Sequence, residues 1–173
     1  MDKTLAEGKL GALLDALAVE RSLYVELITA LERERTALVN MSADEMIGVT
    51  PVKESVVSRI RAQSGTIEQT MAALASALGV ARGHERISLS RLIGHLEGTP
   101  CLRLQEARNQ VVALSETASV LNRANDRLLH RSLTYVNHYL AFLQSLMTAS
   151  AGYLHTGAAP DLARSGRIVA VKG

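Results

Sequence analysis

The sequence predicts an all-α fold, an antiparallel helical bundle or coiled coil of three main helices with a long C-terminal helix and a flexible tail. One observation is a heptad seam followed by alternating steps of three and four residues. It runs through Leu104, Ala107, Val111, Leu114, Ala118, Leu121, Asn125, Leu128, Ser132, Tyr135, Tyr139, Phe142, Leu146, Ala149 and Tyr153. The other is composition: 47% of the 173 residues are hydrophobic, yet only 3% are aromatic and Trp is absent. Aliphatic side chains and Ala must then supply the packing, which suits helices better than sheets. The expected organisation is a single helical bundle domain over residues 1–157 and a basic tail over 158–173.

The first helix is expected from about Thr4 to Val39. Leu10, Leu17, Tyr24, Leu31 and Leu38 recur every seven residues, and Leu13, Leu14, Leu27 and Ile28 widen the apolar face. Ser42-Ala43-Asp44-Glu45 reads as a capping box, which predicts a short helical turn over 43–48. Thr50-Pro51 then opens the second helix, because at the first helical position the N–H that proline lacks would have no partner within the helix. Val52, Val56, Ile60, Gln63, Ile67, Met71, Leu74 and Leu78 line its buried face until Gly79 ends it. Between Gly79 and Pro100 the glycines at 79, 83, 94 and 98 loosen the pattern, and Ser88 caps a short helix through Leu89, Leu92, Ile93 and Leu96. Thr99-Pro100 starts the last helix, expected to end near Leu154, ahead of Gly157 and Pro160. The tail from Ala158 is poor in large apolar groups apart from Ile168-Val169-Ala170-Val171 and is expected to be flexible.

Charge and cysteine usage exclude several classes of function. A net charge of +2 is mildly basic, but the charges come in mixed pairs such as Glu32-Arg33-Glu34-Arg35. That reads as a solvated helix surface, not a nucleic-acid footprint. Cys101 is alone, which fits a reducing compartment. Asp2, Lys3 and Glu7 interrupt any signal-peptide core, and the expected location is the cytoplasm. The longest apolar run near the uncharged region, Tyr139 to Leu143, is far shorter than the roughly 20 residues of a membrane span.

Chemistry is equally poorly represented. None of the histidines (84, 95, 130, 138, 155) pairs with another at helical spacing or follows a glutamate by three residues, so a di-iron bundle site is missing. Cys101 has no partner for zinc, and no phosphate-binding glycine loop occurs. Glu7, Glu20 and Glu26 read as ordinary surface carboxylates. The expectation is a protein that is not an enzyme, with no cofactor and no metal.

The segment from Ser132 to Pro160 stands apart, because it contains no Asp, Glu, Lys or Arg and holds four of the chain's five aromatic residues. At about 1.5 Å per residue the three main helices would be roughly 50, 40 and 80 Å long. The first two would then cover the last only to about Tyr135 or Tyr139. Ala141, Ser145, Thr148 and Gly152 place small residues on the far side, where another helix could approach closely. From Leu104 to Leu128 the seam reads as bundle core. Beyond it, partner docking, self-association and cover from the short elements all remain open. Asn125, on the seam with Asn122 one turn earlier on the flank, suits a register-fixing role better than ligand contact. Tyr139 and Tyr153 combine an apolar ring with a polar tip, the make-up of an interface anchor.

Several of these features together resemble the FlgN family of flagellar export chaperones for the hook-filament junction proteins. They are the N-terminal seam ending Leu31-x-x-Glu34-Arg35-x-x-Leu38, Lys53-Glu54 in the second helix, Leu121-Asn122-x-x-Asn125-x-x-Leu128-Leu129 in the last, and Tyr153 to Gly157 followed by the basic Gly166-Arg167-Ile168 and Lys172. The resemblance spans nearly the whole chain. It departs from the pattern in a basic rather than acidic balance and in the Leu154-His155-Thr156 spacer between the tyrosine and its glycine. It implies a cytoplasmic chaperone that holds the C-terminal amphipathic helices of the hook-associated proteins FlgK and FlgL and prevents their premature assembly before type III export. On that reading Leu128, Tyr135, Tyr139, Phe142 and Leu146 anchor the client helix, and Tyr153 with the tail contacts the cytoplasmic domain of the export gate FlhA. The alternatives are a self-associating structural coiled coil, a homodimer through the same seam, or an adaptor for another motility or secretion protein.

Overall fold

A computed structural model of the chain describes residues 3–80 and 87–151, with side chains over 4–80 and 87–147. Every regular element among them is a helix: α1 (Lys3–Val39), α2 (Ala43–Ala77), α3 (Leu89–Ile93) and α4 (Gly98–Ala151). The expected tail over 158–173, the end of the last helix near Leu154, and the contacts of Tyr153 lie outside the described residues. The chain divides into two units, Met1–Leu129 and His130–Gly173.

In the first unit, α1 and α2 form an antiparallel hairpin joined by Asn40, Met41 and Ser42. Met41 N–H donates to Leu38 O at 3.3 Å and Ser42 N–H to Ala37 O at 3.0 Å, which satisfies two carbonyls left over at the end of α1. This closure puts the residue after the cap in the left-handed region, and Met41 holds φ 51 there without being glycine. At the end of α2 the same pair of bonds recurs, Gly79 N–H to Ser76 O at 3.1 Å and Val80 N–H to Ala75 O at 3.0 Å. Here glycine takes the left-handed position, with φ 68.

Ser42 is the N-cap the sequence predicts, its hydroxyl accepting from the Glu45 N–H at 3.3 Å. Asp44 and Glu45 in the first turn suit the positive end of the helix dipole. The boundary expected at Pro51 is not there, because α2 runs unbroken through the proline. An interior proline removes one backbone bond and crowds the carbonyl four residues back, at a cost of about 3 kcal/mol. Val49 and Val56 are buried on either side of it, and at about 1.5–3 kcal/mol for each valine the burial outweighs the proline. With 35 residues α2 is shorter than α1 with 37, as expected, but by less than lengths of roughly 50 and 40 Å imply. Val52, expected inside, is 48% exposed.

Three cross-links show the hairpin register. Glu34 pairs with Lys53, Glu26 with Arg59, and Gln63 Nε2 donates to Ala16 O at 2.8 Å. The last helix runs parallel to α1 in this unit: Arg21 Nη1 donates to Gln110 Oε1 at 2.9 Å, and Asn125 Nδ2 to Leu31 O at 2.8 Å. Leu13, Leu74, Leu92 and Leu104, one from each helix, are fully buried together with Leu10, Leu17 and Ile67 around them. Ser88 caps α3 through the Arg91 N–H, as its position predicts. That short helix carries Leu92 into the core.

Lying against both α2 and α4, α1 buries two rows of side chains. One is Leu10, Leu13, Leu17, Leu31, Glu34 and Leu38; the other is Ala16, Leu23, Ala30 and Ala37. On an ideal helix these rows lie about 100° apart.

Candidate functional site

The described part of the second unit is the stretch of α4 from His130 onward. No side chain in 130–147 is buried, and only Ser132 is half-buried. The sequence-predicted anchors Tyr135, Tyr139, Phe142 and Leu146 are 63%, 54%, 57% and 47% exposed. Steps of four, three and four place them on one row of the helix. Leu128 occupies the same row in register but belongs to the first unit, where it is half-buried.

A second row lies beside the first, and the sequence reading followed only one. Leu133, Val136, Leu140, Leu143 and Met147 are all exposed, and they advance by three, four, three and four residues. At about 100° per residue the two rows cover roughly half the circumference. Tracing every three-and-four series through the segment, not just the one continued from Leu104, would have found it. The remaining side carries Thr134, Asn137, His138, Ala141, Gln144 and Ser145. Two of its hydroxyls turn back on their own helix: Thr134 Oγ1 donates to His130 O at 2.9 Å, and Ser145 Oγ to Phe142 O at 2.7 Å.

The energetics follow from exposure. Burying the open half of a large apolar side chain yields about 1 kcal/mol, so the first row offers roughly 4 kcal/mol and both rows roughly 9. Association costs about 4 kcal/mol or more before any net affinity appears.

A buried polar cluster joins the three long helices of the first unit. Glu34 on α1 is only 6% exposed, pairs with Lys53 on α2, and accepts from Asn125 Nδ2 on α4 at 2.9 Å. Asn125 is 2% exposed, and its Oδ1 makes no hydrogen bond among the described residues. Reading Glu34 as part of a solvated charge run is therefore incorrect. It continues the series Leu27, Leu31, Leu38 in steps of four, three and four, and so points inward. Asn125 ties α4 to a carbonyl and a carboxylate of α1, which is the register role; Asn122 stays exposed.

Glu20 also departs from the surface reading. It is half-buried, and burial pushes its carboxyl above the usual range. Burial, and after it the charge of Glu20, raises the phenol of Tyr24 one turn along. Across the hairpin, a groove of about 610 Å³ opens between Thr29, Arg33 and Thr36 of α1 and Glu45, Gly48 and Val49 of α2. Its rim mixes both charges, and no sequence signal marked it.

Among the described residues no group of three or more His, Cys, Asp or Glu could hold a metal ion. None of the described helices is long and apolar enough to cross a membrane. No curated protein and no solved structure gives a significant match to the chain. The family model described as FlgN protein matches residues 9–161.

Proposed function

The chain belongs to the FlgN family, the flagellar export chaperones, and from that premise we propose that it binds the C-terminal amphipathic helices of the hook-associated proteins FlgK and FlgL before type III export. Such helices assemble through their apolar faces, so holding those faces prevents premature assembly. FlgN is a chaperone family and not an enzyme family, and the proposed role needs binding alone. It places the protein in the cytoplasm, where its clients wait, and a single cysteine is in keeping with that compartment.

The observation that carries the reading is the run of exposed apolar side chains on an uncharged helix. Nine large apolar residues between Leu133 and Met147 are open, with no Asp, Glu, Lys or Arg among them. An amphipathic helix laid along such a surface covers one row of it through anchors three and four residues apart. Tyr135, Tyr139, Phe142 and Leu146 serve as those anchors, with Leu128 extending the row. Tyr153 and the basic tail are assigned to the cytoplasmic domain of FlhA, an assignment supported by the family resemblance.

Calorimetry of the full-length chain with synthetic peptides from the C-terminal helices of FlgK and FlgL tests the reading. Saturable binding that disappears in Tyr139→Ser/Phe142→Ser supports it. No binding by the unaltered chain refutes it. The same apolar rows also suit a homodimer, and a dimer that persists on dilution to nanomolar concentration and does not open for the peptide would favour that structural role instead.

A further inference from the structure

The apolar arc on the second unit is wider than one partner helix can seal. In a two-stranded coil a single row is buried, and the positions on both flanks carry charged or polar groups. Here one flank of the Tyr135–Leu146 row carries His138 and Ser145, while the other carries Val136 and Leu143, backed by Leu133, Leu140 and Met147. The same chain shows what such a pattern accompanies. Its α1 lies against two helices and buries two rows about 100° apart. Earlier in α4, the positions equivalent to the second row are mostly polar, Gln105, Arg108, Ser119 and Asp126 among them, with Val112 and Leu129 the two large apolar ones. The apolar second row is thus a property of the second unit and not of the helix as a whole.

We propose that residues 133–147 seat two helices of one client chain side by side, one on each row, as a helical pair. This rests on the chaperone reading above and specifies the form of its client. The two rows differ in chemistry. The first is largely aromatic, so the helix it receives carries small residues such as Ala, Ser or Gly opposite the rings, because tight packing alternates large with small. The second is aliphatic and receives Leu, Ile, Val or Met as knobs into holes. From Ser132 to Met147 no charged side chain is available to pair with one from the client. The receiving faces of both client helices are therefore uncharged, and a helix with a charge there is rejected.

The test uses two double variants of the full-length chain, Tyr139→Ala/Phe142→Ala for the first row and Leu140→Ala/Leu143→Ala for the second. All four side chains are exposed, and circular dichroism verifies that the fold is kept. The probes are a single-helix peptide from the client's C-terminus and the full-length hook-associated client. The expected result is that each double variant weakens the full-length client by about tenfold or more, whereas the peptide responds to one of the two only. If Leu140→Ala/Leu143→Ala leaves the full-length client within about twofold of the unaltered chain, the two-helix seat is overturned and the chaperone reading stands. If that variant instead turns a dimer into a monomer in sedimentation without changing client affinity, the second row pairs copies of this chain and the proposal is likewise overturned. Failure of both probes to bind the unaltered chain would remove the chaperone reading itself.

Discussion

Asn125 on α4 and Glu34 on α1 meet inside the bundle, the carboxamide N–H donating to the carboxylate at 2.9 Å while Lys53 of α2 pairs with the same group. One buried anion thereby receives a side chain from each of the other two long helices. Removing it leaves Asn125 held by the Leu31 carbonyl alone and Lys53 without its counter-ion.

Glu34→Ala is expected to cost about 1–3 kcal/mol, because Lys53 and Asn125 each lose a bond to a charged acceptor while the Lys53 side chain, 26% exposed, keeps access to water. Replacing all three residues by apolar ones, Glu34→Leu with Lys53→Met and Asn125→Leu, should recover most of that loss, since apolar packing commonly equals a buried ion pair. Urea denaturation of the two variants measures both values. A triple variant as unstable as Glu34→Ala would show that the cluster contributes more than its charge balance.

Met41→Gly should raise stability by about 1 kcal/mol. The left-handed φ of 51 at this position costs an L-residue that much, and the side chain is 69% exposed, so little packing is lost. At φ 68 the opposite exchange, Gly79→Ala, should lower stability by a similar amount, about 1 kcal/mol. Thermal unfolding of both variants tests the pair, and equal signs would refute the account.

Stability should fall as pH rises through the carboxylate range and above it. The Glu20 carboxyl is raised by burial, so the folded state favours its protonated form. That contribution is complete below the ordinary carboxylate value and is lost as pH climbs through the raised one. Glu20→Gln should remove the dependence, giving a chain more stable than the parent near neutrality and level with it in acid. Unfolding midpoints compared between acid and neutral pH check the sign.

Phe142→Ala should weaken client binding by about 2 kcal/mol or more if Phe142 is a central anchor. Ser145→Ala, on the polar side, where the hydroxyl donates to Phe142 O, should leave affinity unchanged. Isothermal titration against the same peptide compares them directly, and equal losses would show that the contact is not confined to the apolar rows.

The heptads, the cap at Ser42 and the stop at Gly79 were legible because each is local, a matter of period or of one backbone angle. Pro51 was misread because its local preference for a helix start yields to the burial of Val49 and Val56, and that burial depends on α1 lying alongside. Glu34 and Glu20 were misread from their residue type, although both fall on the inward row of α1. The exposed row of Tyr135, Tyr139, Phe142 and Leu146 was legible because a charge-free stretch is visible in any sequence. Its neighbouring row was missed because a single seam had already accounted for the helix. The groove beside Gly48 depends on how two helices approach, and no residue pattern in either one signals it.

The two rows on α4 are linear, which governs how anything bound to them comes away. Contacts strung along one axis need not break together: a pull on one end of a seated helix loosens one turn while the next still holds. Each turn released gives up about 2 kcal/mol, far less than the whole interface. With no charge along the track, added salt would do little to hasten the process. A complex of this kind yields to modest force applied at one end, as a fastener that holds against spreading can still be peeled.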